Sequence, residues 1–145
     1  MTPRFFFPVA AAALAATLAL QPLAHAEQWV YAMQTGHGNH SIQVDVDSIA
    51  QQSGYVAARL LYEYYGASVT SHSALVDGAF DCKGNRFQAL SRTEYAAPEA
   101  KGPAGISTHS ALAPDQWRLN SADPETFAIV DWVCGVAAHK LAAAP

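Results

Sequence analysis

The sequence of 145 residues has two cysteines and only 14% charged residues, and several motifs that define enzyme classes are missing from it. Cys82 and Cys134 lie far apart, so the chain has no C-x-x-C redox motif. It has no G-x-S-x-G nucleophile elbow. No repeat or heptad pattern follows residue 26. These absences argue against a dithiol oxidoreductase, an α/β-hydrolase and a solenoid.

Basic residues are also scarce. The chain has eight Lys and Arg against twelve Asp and Glu. One of the eight, Arg4, belongs to the N-terminal segment, so the remainder has seven against twelve and a net charge of −5. An acidic surface repels phosphates and anionic headgroups. We therefore expect neither nucleic acid nor an anionic membrane as the main partner.

The N-terminal segment carries an uncharged apolar run. Arg4 precedes it, residues 5–20 form it, and Ala24-His25-Ala26 ends it with an A-x-A cleavage pattern. A transmembrane anchor is the competing interpretation, but the run is short and ends in small residues. Residues 1–26 are thus predicted to be a cleaved signal peptide, with no membrane insertion afterwards. The expected location is the periplasm, the outer surface or the medium. No lipid anchor is expected, because no cysteine comes directly after the run.

Alternating apolar and polar residues, the pattern of half-buried strands, recur along the rest of the chain. The patterned stretches are 29–33, 41–46, 55–64, 74–82, 87–95 and, more weakly, 105–109. A hairpin with His37-Gly38 at its tip places Met33 opposite Ile42. Residues 47–52 predict a single helical turn that closes at Gly54.

The connection between the fourth and fifth strands predicts their register. A two-residue loop at Gly84-Asn85 pairs Cys82 with Phe87, both facing inward. The same register sets Asp77 opposite Arg92 on the outward face.

Near the C-terminus, the spacing of the apolar residues changes from that of a strand to that of a helix. Asp123 is the predicted N-cap and Pro124 the first helical residue. The apolar residues then recur at helical spacing as one stripe: Phe127, Val130, Val133, Cys134 and Ala137. Residues 142–145 are expected to be a disordered tail.

These elements predict one α+β domain over residues 27–141. It is an antiparallel meander sheet of five to six strands with one wet face and the other covered by the C-terminal helix. Cys82 ends an inward-facing pattern, and Cys134 lies on the helical stripe. Behind an export signal, they predict a disulfide that tethers the helix to the sheet, contributing roughly 4 kcal/mol in the chain-entropy model.

Histidines provide the candidate metal ligands. His37 and His40 are three residues apart in a Gly-rich turn, but no third ligand lies at a diagnostic spacing. Hairpin tips carry exposed His and Asn for turn geometry, so we expect no metal, no cofactor and no catalytic residue. A metal-binding protein or small periplasmic enzyme built on this pair with His72 and His109 is the rival hypothesis.

Two surfaces are candidates for ligand binding. Three arginines share the outward parity of neighbouring strands and would form a cationic patch for a protein or sulfated glycan: Arg59, Arg86 and Arg92. The favoured alternative is that these arginines form cross-strand ion pairs with Glu63, Asp77 and Glu94, because charged residues on a solvent-exposed sheet face usually pair in this way. The second surface is an unpaired edge strand, which pairs with a ligand or with a second copy in a homodimer.

Several landmarks follow one another in a particular order along the chain: Trp29, Asp47-Ser48-Ile49, Gly54, Val56, Tyr62, Asp81-Cys82, Arg86, Tyr95, Trp117 and Val133-Cys134. Their order resembles that of the bacterial surface-adhesin protein E-like family. The resemblance implies a sheet with a disulfide-held C-terminal helix, in agreement with the prediction above. It also implies an exported adhesin that engages host matrix proteins such as vitronectin and laminin. No ligand-contact residue belongs to the shared motifs.

The sequence thus predicts an exported, non-enzymatic module that binds another protein. A periplasmic or envelope protein with a housekeeping role is a further alternative.

Overall fold

The computed structural model describes residues 27–35, 39–66, 70–119 and 124–143. Three predictions therefore lie outside the described residues: the signal peptide at 1–26, the hairpin tip with His37, and the N-cap Asp123.

The described residues contain seven strands, which form one antiparallel sheet. In chain order they are β1 (Trp29–Gln34), β2 (His40–Gln52), β3 (Tyr55–Tyr64), β4 (Ser73–Asp81), β5 (Arg86–Tyr95), β6 (Ala104–His109) and β7 (Arg118–Leu119). Each of β1 to β6 pairs with the next strand, and the short β7 pairs with the start of β5. The predicted meander is confirmed, including Met33 opposite Ile42.

The helix α1 (Pro124–Ala143) covers one face of the sheet. Its buried Ile129, Val130 and Val133 pack on a core of alternate strand residues such as Leu60 and Phe80. By length and composition α1 would also pass for a membrane span, as core helices of globular domains often do. The predicted tether is confirmed, because a Cys82–Cys134 disulfide with a Cα–Cα distance of 5.7 Å joins α1 to the end of β4.

The apolar stripe of α1 differs from the prediction at its start. Phe127 is 51% exposed, whereas Thr126 and Ile129 are buried. Placing Phe127 in the stripe was wrong, because the buried face through Val130 and Val133 continues backwards by steps of four residues. The helix ends at Ala143, so the first two residues of the predicted tail are helical.

The predicted helical turn at residues 47–52 is wrong, since β2 continues through it. The ladder with β3 is irregular between Asp45 and Ala50. There the Ser48 hydroxyl donates to the Asp45 carbonyl at 2.6 Å and accepts from the Arg59 N–H at 2.8 Å. A side chain thus replaces a ladder contact, and β2 bulges instead of ending. Gly54, with φ +89°, makes the turn into β3.

The predicted register of β4 and β5 is also wrong. Asp81 pairs with Arg86 and Phe80 with Phe87, so the loop is residues 82–85 rather than two residues. The Asp81 carboxylate accepts the Gly84 N–H at 2.8 Å and stabilises this longer loop. Because the shift is two residues, Phe80 and Phe87 still face the core.

A bulge in β5 reverses the predicted parity of its second half. Gly78 pairs with Ala89 and Asp77 with Ser91, which leaves Leu90 unpaired. After such an insertion each side chain moves to the opposite face. Arg92 therefore lies on the α1 side of the sheet and not opposite Asp77.

The face opposite α1 is wet only in part. Ser73 and Gln88 on this face are buried, at 0% and 3% exposure. The Ser73 hydroxyl donates to the Ala97 carbonyl at 2.6 Å, and the Gln88 amide donates to the Ala111 carbonyl at 2.7 Å. Segments before and after β6 thus cover parts of the face that the sequence pattern left open.

Candidate protein-binding surfaces

Arg59 lies on the open face of the sheet and is already paired. Its Nε donates to Asp77 at 2.9 Å and its Nη1 to Glu27 at 3.3 Å, while 42% of the side chain is exposed. Burial would raise the pKa of Asp77, but the Ser91 hydroxyl and Arg59 outweigh it and lower that pKa. The hydrogen bond to Asp77 in turn raises the pKa of Arg59.

Arg86 belongs to a structural cluster at the β4–β5 hairpin. Its Nε and Nη2 donate to one oxygen of Asp81 at 3.0 and 2.5 Å. The guanidinium carbon lies 5.3 Å from the Trp117 ring centroid, a cation–π distance. The Gly84 N–H and Arg86 lower the pKa of Asp81. The cluster adjoins Cys82, so several landmarks of the family resemblance meet here and hold the hairpin.

Arg92 lies beside two tyrosines on the α1 side. Its guanidinium is 5.7 Å from the Tyr62 ring and 5.8 Å from the Tyr64 ring, and it donates to the Tyr64 hydroxyl at 2.5 Å. It also pairs with Glu94 at 3.3 Å. The three arginines therefore do not form one patch. Of the predicted acidic partners, Asp77 and Glu94 are paired with arginine, and Glu63 accepts a backbone N–H instead.

His40 connects the sheet to the first turn of α1. Its Nε2 lies 2.6 Å from Glu125, and its ring packs 5.7 Å from Tyr62 and 5.6 Å from Tyr64. Within the described ranges, no three His, Cys, Asp or Glu side chains are placed to hold a metal ion. The rival hypothesis of a metal site at His37 and His40 stays untested, because His37 lies outside those ranges.

The strand β6 forms one edge of the sheet and is exposed along its whole length. All six residues are exposed, and Ile106 is 72% exposed. The strand has no charged residue and no proline, which are the usual protections of an edge. Its pairing with β5 is irregular at the start and regular from Ser107 to His109. The sequence predicted an exposed edge without indicating which one.

The other edge, β1, is less open. Two of its six residues are exposed, among them Tyr31 at 58%, and its ladder is irregular between Tyr31 and Met33. The exposure of β1 is thus confined to two residues, whereas all six residues of β6 are exposed. We therefore regard β6 as the stronger candidate surface.

Comparison with known proteins identifies a family. The family model described as surface-adhesin protein E matches residues 29–135, which is most of the chain and includes both cysteines. Searches of curated proteins and of solved structures give no significant match. The family implies an adhesive, non-enzymatic role at an exported or surface location. With its sheet, its disulfide-held helix and this match, the chain belongs to the surface-adhesin protein E family.

Proposed function

We propose that this protein is an exported module that binds an extended segment of another protein along the outer edge of β6. The observation that supports this is the full exposure of an uncharged edge strand, with Ile106 72% exposed. An edge presents unpaired backbone N–H and C=O groups, and an incoming segment satisfies them as an added strand. Ile106 adds an apolar contact.

Backbone pairing also suits the charge of the domain. A net charge of −5 would oppose acidic ligands if binding relied on side-chain charge, but hydrogen bonds between backbones depend little on it. Vitronectin and laminin are the partners that the family resemblance suggests, and we use them as probes.

The hydrogen bonds of β6 show which backbone groups face outward. The Ser110 N–H donates to the Leu90 carbonyl at 2.7 Å, so it points towards β5. Backbone groups alternate along a strand, so the N–H of Thr108 also points inward and those of Ser107 and His109 point outward. Proline at 107 removes an outward donor and spares the ladder to β5.

The test is the binding of immobilised vitronectin and laminin by the mature protein and two variants. We expect Ser107→Pro to weaken binding about tenfold or more, since one backbone hydrogen bond is lost and neighbouring ones are disturbed. Ser107→Ala, which removes the hydroxyl and keeps the N–H, should bind like the wild type. Equal affinity of the proline variant, with its fold confirmed by circular dichroism, would contradict the proposal.

The arginines remain a second hypothesis, now restricted to the open face. Charge-assisted contacts through Arg59 or Arg86 would weaken as salt rises past physiological strength, whereas edge pairing would not. A binding series in salt with Arg59→Glu and Arg86→Glu distinguishes the two surfaces.

The same edge is our proposed contact for a homodimer. Two copies of β6 pair antiparallel about a twofold axis, which continues the sheet across the dimer. Sedimentation should show a concentration-dependent dimer in the wild type that Ser107→Pro abolishes. A monomer at all concentrations would leave the edge to other proteins.

A further inference from the structure

A groove of about 390 Å³ lies between the C-terminal half of α1 and the strand ends beside the disulfide. Its lining includes Val56, Phe80, Cys82, Cys134, Ala138 and Leu141. Val56 and Phe80 are buried at 4% and 0% exposure, whereas Leu141 is 58% exposed. Most of the exposed lining is apolar, and the volume is that of a small-ligand site.

The charges around this groove are not balanced. Lys83 lines it and is exposed, and no described residue forms an ion pair with Lys83. The carboxylate of Asp81, which also lines it, is already bound by Arg86 and by the Gly84 N–H. The groove thus has a mainly apolar lining and one lysine, Lys83, without an ion-pair partner among the described residues.

A smaller cavity of about 210 Å³ continues past Leu141 and shares Gln51 and Ala137 with the groove. It ends at Lys140, whose Nζ donates to the carbonyls of Val46 and Ile49 at 2.9 and 3.1 Å. Lys140 thereby ties the last turns of α1 to β2.

We infer that this groove binds a free fatty acid. The alkyl chain lies over the disulfide and against Leu141, and the carboxylate meets Lys83. An apolar chain matches the walls, and an anionic head matches the charge of Lys83. Each methylene buried should raise affinity about fourfold, so decanoate should bind about 15-fold more tightly than octanoate.

The test uses the intact, disulfide-bonded protein with octanoate and decanoate below micelle formation, followed by ¹H–¹⁵N NMR. Chemical-shift changes should be confined to residues around Tyr55, Cys82 and Leu141. Bound decanoate should also slow reduction of the disulfide by a soluble thiol, because the chain covers it.

Two variants and two matched controls test the assignment. Lys83→Glu should weaken decanoate binding two- to fivefold, the range for an exposed ion pair, and Leu141→Glu about tenfold or more. Lys101→Glu and Leu112→Glu place the same charge at exposed positions away from the groove and should bind like the wild type.

Four outcomes would overturn the inference: equal affinity of all four variants, no dependence on chain length, shifts elsewhere in the protein, or binding to anionic phospholipid vesicles without any effect of decanoate. None depends on β6, so this proposal and the proposed function can fail separately.

Discussion

At the scale of single residues, Glu63 is a buried carboxylate that holds a loop. It is 7% exposed and lies between Ser41 of β2 and Ser73 of β4 in the ladder. Its carboxylate accepts the Glu99 N–H at 2.6 Å, and burial raises its pKa. Glu99 itself, with φ +57°, is a non-glycine residue in the left-handed region. The segment between β5 and β6 is thus held in a strained conformation by a charge that burial disfavours.

The variant Glu63→Gln tests this. A raised pKa means that the folded protein binds a proton at Glu63 more readily than the unfolded chain does. The free energy of unfolding therefore falls as the pH rises from about 4 through the folded-state pKa of Glu63. The variant should be more stable than the wild type at pH 7, and the difference should shrink towards pH 4. Urea denaturation across that range measures it.

Taking the difference between the two proteins cancels the carboxyls whose pKa is lowered, such as Asp77 and Asp81, because both proteins contain them. A difference that stays constant or widens in acid would show that Glu63 is not the group concerned.

The sequence placed Arg59 correctly on the outward face, where the structure pairs it with Asp77 across β3 and β4. It misplaced Arg92, although both residues show the same local alternation. The difference is the unpaired Leu90, one residue that carries no signal of its own because a bulge depends on the partner strand. The alternation of residues therefore predicts which face a side chain lies on only as far as the first bulge in the strand.

At the scale of elements, α1 contains two apolar residues of which only one is packed in the core. Ile129 is 2% exposed and Phe127 51%. We expect Ile129→Ala to lower the free energy of unfolding by about 2–5 kcal/mol and Phe127→Ala by about 0.5 kcal/mol or less. Chemical denaturation of the two variants measures both values. A larger loss from the phenylalanine would mean that α1 is rotated relative to this structure.

The existence and order of β1 to β5 could be predicted because apolar residues recur at every second position along them. The fully exposed β6 gave only a weak pattern, and the two-residue β7 gave none. The bulge at Ser48 and the loop at 82–85 could not be predicted, because both depend on particular hydrogen bonds between side chains and the backbone. Ser48 replaces a ladder contact, and Asp81 closes the four-residue loop. Loops of two and four residues leave the same side chains inward, so the hydrophobic pattern does not distinguish them.

At the scale of the whole molecule, the disulfide joins the two layers of the fold. We expect Cys82→Ser to lower the free energy of unfolding by about 2–5 kcal/mol. Cys134→Ser should match it, and the double variant should cost no more than either alone, because all three remove one bond. Two free thiols in exported protein, measured by mass spectrometry without reductant, would contradict this.

The same bond determines how the domain would respond to mechanical tension, such as the shear on a cell held by its adhesins. A pull on the two ends is carried from β4 directly into α1 through Cys82 and Cys134. The two cysteines are 52 residues apart in the sequence, and the chain between them bears no tension. This part of the chain contains β5, β6 and β7. About 180 Å of extended chain is therefore withheld from the force. The strand β6, our proposed binding surface, would therefore not be stretched while the pull unfolds β1 to β3.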